Sequence, residues 1–269
     1  MVSILMSGIF SFLISSAVCF VFFRKNMKKQ CANNEQSEMK NPVNENTYTF
    51  AIPPNKKYTL QNFCTTDKSF MNLIQQLINK QLNNNFFILM GKTGSGKTHL
   101  LHAIGNRLIE NNASMNIRVI SAESYTTEFI NSIENQTLID FKNKYRILDA
   151  LFIDNFESLY NKESTQEELY YTLVSLLERK AFIGIAITSP CDINKVFGKP
   201  LASLLQRAVI IEIPELDVES KRAIIARHLF ESNLSMQSID YTQLLEYDVP
   251  EMLGNLNKLI AIKELGEMV

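Results

Sequence analysis

The stretch FFILMGKTGSGKTHLL, Phe86 to Leu101, decides the fold. Its first five residues, Phe86 to Met90, are uninterruptedly apolar and read as a buried strand. The run breaks at Gly91 into a glycine-rich turn. Beyond it Leu100, Leu101, Ile104 and Leu108 recur at helical spacing. Between strand and helix the chain spells G-x-x-x-x-G-K-T, which is the spacing of a phosphate-binding loop. Glycines let successive N–H groups converge on an anion without Cβ clashes, and the following helix N-terminus adds partial positive charge. The nucleotide-binding candidates are therefore Gly91, Lys92, Thr93, Gly94, Ser95, Gly96, Lys97 and Thr98. Lys97 can reach the β- and γ-phosphates, and the Thr98 hydroxyl can ligate Mg²⁺.

Outward from the loop, apolar runs at 117–120, 150–154, 182–188 and 209–213 read as four more strands. Helical patterns lie between them: Tyr125, Phe129 and Ile133, then Leu138, Phe141 and Tyr145, then Leu169, Leu173 and Leu176. This alternation predicts an α/β fold, a parallel sheet with helices on both faces and the nucleotide at the strands' carboxyl ends. Asp154 closes the third strand and is the natural partner of Thr98 at Mg²⁺. Hydrolysing P-loop proteins usually follow that acid with a second one. Here Asn155 stands there, and an amide cannot accept a proton. Thr188, at the end of the fourth strand, is a candidate γ-phosphate sensor. Ser164-Thr165-Gln166-Glu167 reads as a capping box with Ser164 as N-cap. The basic helix end formed by Lys142, Lys144 and Arg146 reads from spacing as a solvated face. From 216 to 269 the pattern is that of a small all-helical domain.

Composition narrows the classes. The net charge of −1 implies no bulk attraction to nucleic acid or anionic membrane. The four cysteines form no C-x-x-C pair and read as thiols in a reducing compartment. Residues 2–23 carry no charge and are long enough to cross a bilayer, and Arg24, Lys25, Lys28 and Lys29 follow at once. Two readings stand side by side: a membrane anchor that leaves the rest of the chain in the cytoplasm, or a translation start at Met27 or Met39. Residues 24–46 read as a polar tether, residues 47–215 as the nucleotide-binding domain and 216–269 as its lid.

Taken together, YTLQNF (58–63), GKTGSGKTHLLHAIGN (91–106), EFINSI (128–133), DFKNKYR (140–146), DALFIDN (149–155) and KESTQEE (162–168) resemble the AAA+ core of the bacterial replication initiator family, DnaA and its shorter relative Hda. The resemblance runs from Tyr58 to Val269. It implies a five-stranded AAA+ sheet with a helical lid, ATP or ADP in the cleft and assembly through nucleotide-bridged subunits. By position it implies phosphate binding by Gly91–Thr98, Mg²⁺ at Thr98 and Asp154, and the base near Phe63. It also implies single-stranded DNA at the paired helices, through Lys142, Lys144, Arg146 and Lys162.

Three departures from the family pattern fall together. Leu204 stands where the resemblance expects an arginine finger, with Arg207 one turn on as a substitute. Pro250 stands where it expects the lid arginine, and Asn155 where it expects the second acid. The initiator's helix-turn-helix domain has no counterpart, which argues against sequence-specific duplex binding. The expectation is a regulator of replication initiation with weak or no hydrolysis, partnered by the initiator or another AAA+ subunit. Sliding-clamp binding through TYTFAIP (47–53) is a weaker expectation, since that stretch lacks the expected glutamine. Two alternatives remain: an ATPase that remodels single-stranded DNA or loads a helicase, and a membrane-tethered scaffold.

Overall fold

The computed structural model describes residues 53–79, 85–236 and 239–266, with side chains to 263. The proposed anchor, the polar tether and nearly all of TYTFAIP lie outside the described residues. No helix among the described residues is long and apolar enough to cross a membrane.

Five strands form one parallel sheet: β1 (Phe86–Gly91), β2 (Ile117–Ser121), β3 (Ala150–Asp154), β4 (Phe182–Thr188) and β5 (Val209–Glu212), in the order β2-β3-β4-β1-β5. All pairs are parallel, and Gly91 of β1 lies opposite Thr188 of β4. Continuous apolar strands follow from cover on both faces. Successive residues of β1 divide between two cores. Phe86 and Ile88 face one, Phe87 and Leu89 the other.

On the Phe87 side lie α1 (Lys68–Ile78) and α2 (Lys97–Asn111). Asp67 caps α1, its side chain accepting the Phe70 N–H. Leu100, Leu101, Ile104 and Leu108 are buried there, as their spacing predicts. On the Phe86 side lie α3 (Ala122–Glu134), α4 (Leu138–Arg146), α5 (Glu163–Glu178), α6 (Ile193–Val196) and α7 (Lys199–Leu205). Gly184 in β4 makes room for two rings, since a Cβ there would stand 2.5 Å from Phe87 and 2.6 Å from Phe152.

One local expectation fails. Lys162 is the N-cap of α5 and makes no side-chain cap bond, so Ser164 and Glu167 do not form a capping box. Gln166 takes over the local work: its Nε2 donates to Leu159 O at 2.8 Å, and its Oε1 accepts the Gly198 N–H at 2.8 Å. The helix begins at Glu163, so Ser164 lies inside its first turn rather than ahead of it.

The helical lid comprises α8 (Val218–Glu231), a 3₁₀ turn (Thr242–Glu246) and α9 (Val249–Gly266). Ile225, Leu229, Leu244, Met252, Leu256 and Ile260 form its core. Core and lid belong to one compact unit.

Candidate nucleotide-binding site

The loop between β1 and α2 has the backbone its glycines permit. Gly94 and Gly96 take φ of +78° and +92°, and Gly96 is the N-cap of α2. A Cβ at Gly96 would stand 2.7 Å from the Phe63 ring, and one at Gly94 would stand 2.4 Å from Pro250 Cδ. These glycines are needed for conformation and for close approach alike. The buried Ser95 hydroxyl has no hydrogen-bond partner. An unpartnered buried hydroxyl in this glycine-rich loop fits a loop made for an anion.

Lys97 is buried, 7% exposed, and its Nζ donates to the carbonyls of Gly91 (2.8 Å) and Lys92 (2.9 Å). Burial pulls the ammonium below its usual range, against the attraction of Glu157 first and Asp154 second. Thr98 Oγ1 donates to Asp154 Oδ2 at 2.5 Å, so the expected Mg²⁺ pair meets where the first turn of α2 faces the end of β3. A hydroxyl and a carboxylate are hard oxygen donors suited to Mg²⁺. No cluster of three or more metal-binding side chains occurs among the described residues.

The KTHLLHAIGN segment becomes intelligible here. His99, His102 and Asn106 lie along the side of α2 that meets residues 53–63. His102 Nδ1 accepts the Asn55 N–H at 3.0 Å, and the Tyr58 ring stacks on His102 with centroids 5.4 Å apart. His99 Nε2 bonds Thr59 O at 2.9 Å, which fixes its proton on Nε2 because a carbonyl only accepts. Asn106 donates to Asn55 O and Tyr58 O. Gly105 lets Pro54 approach, a Cβ there standing 2.6 Å from its ring. The clamp presents Phe63 over Gly96. Burial lowers the pKa of both histidines. Sequence reading missed this clamp, although residues 99, 102 and 106 stand at helical spacing.

A cavity of about 230 Å³ opens between loop and lid, lined by Phe63, Gly94, Ser95, Gly96, Arg227 and Val249 among others. A slightly larger one, about 290 Å³, lies around Leu60, Met71, Gln75 and Arg107, and no residue of the phosphate loop lines it. The first is the one that the phosphate loop and the lid share. The lid is drawn to the core by Arg227 Nη1 donating to Asn62 O (3.0 Å), by Lys57–Glu231 (3.5 Å) and by Thr66 donating to Asp217.

The remaining predicted residues divide. Thr188 ends β4 with its N–H donating to Glu157 Oε2 at 3.3 Å. Asn155 is exposed and left-handed, φ 49° and ψ 46°. Leu204 is buried in the Phe86-side core at 4% exposure, and Arg207 lies exposed in the turn after α7. Pro250 lies against the phosphate loop. The basic helix end is paired within the chain: Lys142 with Glu168 (3.7 Å), Arg146 with Glu168 (3.1 Å) and Lys144 with Glu128 (2.9 Å). It is thus no simple solvated face. Glu128 also meets the buried Arg118 (2.5 Å) and the Tyr145 hydroxyl (2.8 Å). Lys162 is half-buried at the start of α5.

Sheet, phosphate loop and lid define a P-loop nucleotide-binding protein of the AAA+ class. A family model described as the bacterial DnaA ATPase domain matches residues 54–212. The chain belongs to that family. It is 33% identical over 184 residues to the chromosomal replication initiator protein DnaA of Thermomicrobium roseum, covering 67% of this chain and 40% of that protein. It thus spans about two fifths of that relative's length. It superposes on domain III of the Thermotoga maritima replication initiation protein DnaA with a TM-score of 0.70 at 25% identity, covering 80% of this chain and 92% of that one. A replication initiator DnaA bound to AMPPCP and single-stranded DNA matches with a TM-score of 0.64 at 27% identity, over 76% of this chain and 65% of that one.

Proposed function

We propose that this protein binds ATP or ADP with Mg²⁺ between phosphate loop and lid, and regulates bacterial replication initiation through contact with the initiator or another AAA+ subunit. One combination carries this reading: a complete phosphate loop beside a buried Leu204 and an apposed Pro250, at the positions where the family resemblance expects arginines. The amides of 91–98 and Lys97 would hold the phosphates, Thr98 and Asp154 the Mg²⁺, and Phe63 the base side of the cavity. An arginine finger is worth about 10³–10⁵ in rate, so hydrolysis is expected to be weak or absent. The ion pairs of Lys142, Lys144 and Arg146 favour a structural role for them and leave Lys162 as the better candidate for single-stranded DNA.

Nucleotide titration of the full chain tests the reading, with Lys97→Ala as control. Loss of the ammonium should raise the Kd by at least about tenfold, since hydrogen bonds to charged groups contribute roughly 1.5–3 kcal/mol. Equal affinity in both proteins, or rapid turnover by the unaltered chain, would refute it.

A further inference from the structure

A second carboxylate stands at the edge of the nucleotide site, and the sequence reading gave it no role. Asn155 takes the left-handed conformation, which asparagine adopts more readily than most residues, and turns the chain into the 3₁₀ turn Phe156–Leu159. Phe156 anchors that turn from within the core, its ring edge-on to Phe197 with centroids 5.2 Å apart. Glu157, the next residue, is thereby brought over the carboxyl ends of β3 and β4. Its Oε2 accepts the Thr188 N–H at 3.3 Å. Thr188 lies opposite Gly91, and the Ser189 N–H donates to Gly91 O at 3.0 Å, so Glu157 bonds the strand end that adjoins the root of the phosphate loop. Asp154 is occupied differently, by the Thr98 hydroxyl.

We infer that Glu157 faces the γ-phosphate and orients the water that attacks it, the role the Asn155 amide cannot fill. The inference rests on ATP binding at 91–98. In the step, the water oxygen bonds to the γ-phosphorus and its proton passes to the Glu157 carboxylate. The bond from that phosphorus to the β–γ bridging oxygen breaks, releasing ADP and phosphate. Asn155 contributes the turn. Weak turnover then follows from the absent arginines alone.

The test compares the full chain with Glu157→Gln and Glu157→Asp. It uses titration with ADP and with a non-hydrolysable ATP analogue, single-turnover hydrolysis and thermal unfolding. The glutamine amide oxygen can still accept the Thr188 N–H, so Tm and ADP affinity should stay unchanged. Removing a like charge near the γ-phosphate should raise affinity for the ATP analogue relative to ADP by about tenfold. Turnover should fall by about 10²–10⁴-fold. Glu157→Asp keeps the charge and shortens the reach, so it should lose turnover without that change in relative affinity. Unchanged turnover in Glu157→Gln, an unmoved ATP-to-ADP ratio, or no turnover in the unaltered protein each overturns the inference while ADP binding leaves the proposed function standing. Failure of the unaltered protein to bind ADP overturns both.

Discussion

His102 shows how much one side chain of α2 arranges. Its Nδ1 must be unprotonated to accept the Asn55 N–H, and its ring carries Tyr58. Burial lowers its pKa below the unfolded value, so the unfolded chain takes up the proton first as pH falls. Its contribution is present at neutral pH and is lost below about pH 6.5, the ordinary histidine value. His99 shares the direction but keeps its Nε2 bond to Thr59 when charged, so the loss of contact centres on His102. Midpoints of urea unfolding should therefore decline as pH falls below about 6.5, the unfolded histidine value. His102→Phe keeps a ring beside Tyr58 and removes the acceptor. It should cost about 0.5–1.5 kcal/mol at pH 7.5 and flatten the decline. A slope identical to that of the unaltered protein would refute the assignment.

At the scale of elements, the α3–α4 hairpin is fastened by charge as well as by rings. Tyr125, Phe141 and Tyr145 pack with centroids 4.7–5.3 Å apart. Around them Glu128 gathers Arg118, Lys144 and Tyr145, while Glu168 of α5, 5% exposed, gathers Lys142 and Arg146. Burial raises the Glu168 pKa even against its two cations. Truncating one member of a buried network leaves the others uncompensated. Glu168→Gln should cost about 1–3 kcal/mol, discounted from a fully buried pair because its partners reach solvent. Chemical denaturation measures this, and a change within 0.3 kcal/mol of zero, about the effect of an ordinary surface site, would show the pairs to be incidental. The helices were legible in advance because aromatic residues recur at helical spacing. Their fastening was not, because Glu128 and Glu168 read locally as surface residues.

At the scale of the whole molecule, lid and core meet through few polar contacts. Lys57 and Glu231 are both exposed, and such pairs contribute about 0–1 kcal/mol. Arg227 differs, being half-buried, bonded to Asn62 O and on the wall of the cavity. Arg227→Ala should weaken ADP and ATP binding alike, by about three- to tenfold. It should also shrink the ADP-induced rise in Tm, because the lid then closes over nucleotide less often. A selective loss of ATP affinity would instead place the guanidinium at the γ-phosphate. Leu204 also belongs to this scale. Its side chain supports the Phe86-side core, so Leu204→Arg would bury a charge there.

The sequence by itself determined the α/β class, the five strands and the phosphate loop. Each depends on local pattern: a continuous apolar run, helical spacing, and glycines where φ must be positive. It also determined that Asp154 would meet Thr98, since parallel strands bring their carboxyl ends to one edge. Tertiary structure alone decided the His99–His102–Asn106 clamp on residues 53–63, the pairing of the basic helix end with Glu128 and Glu168, the stapling role of Gln166 and the position of Glu157 beside Thr188. Those outcomes turn on which distant backbone and side-chain groups converge after the sheet has formed. A polar residue's partner is set by burial and geometry across elements, and neither is written in its immediate neighbours.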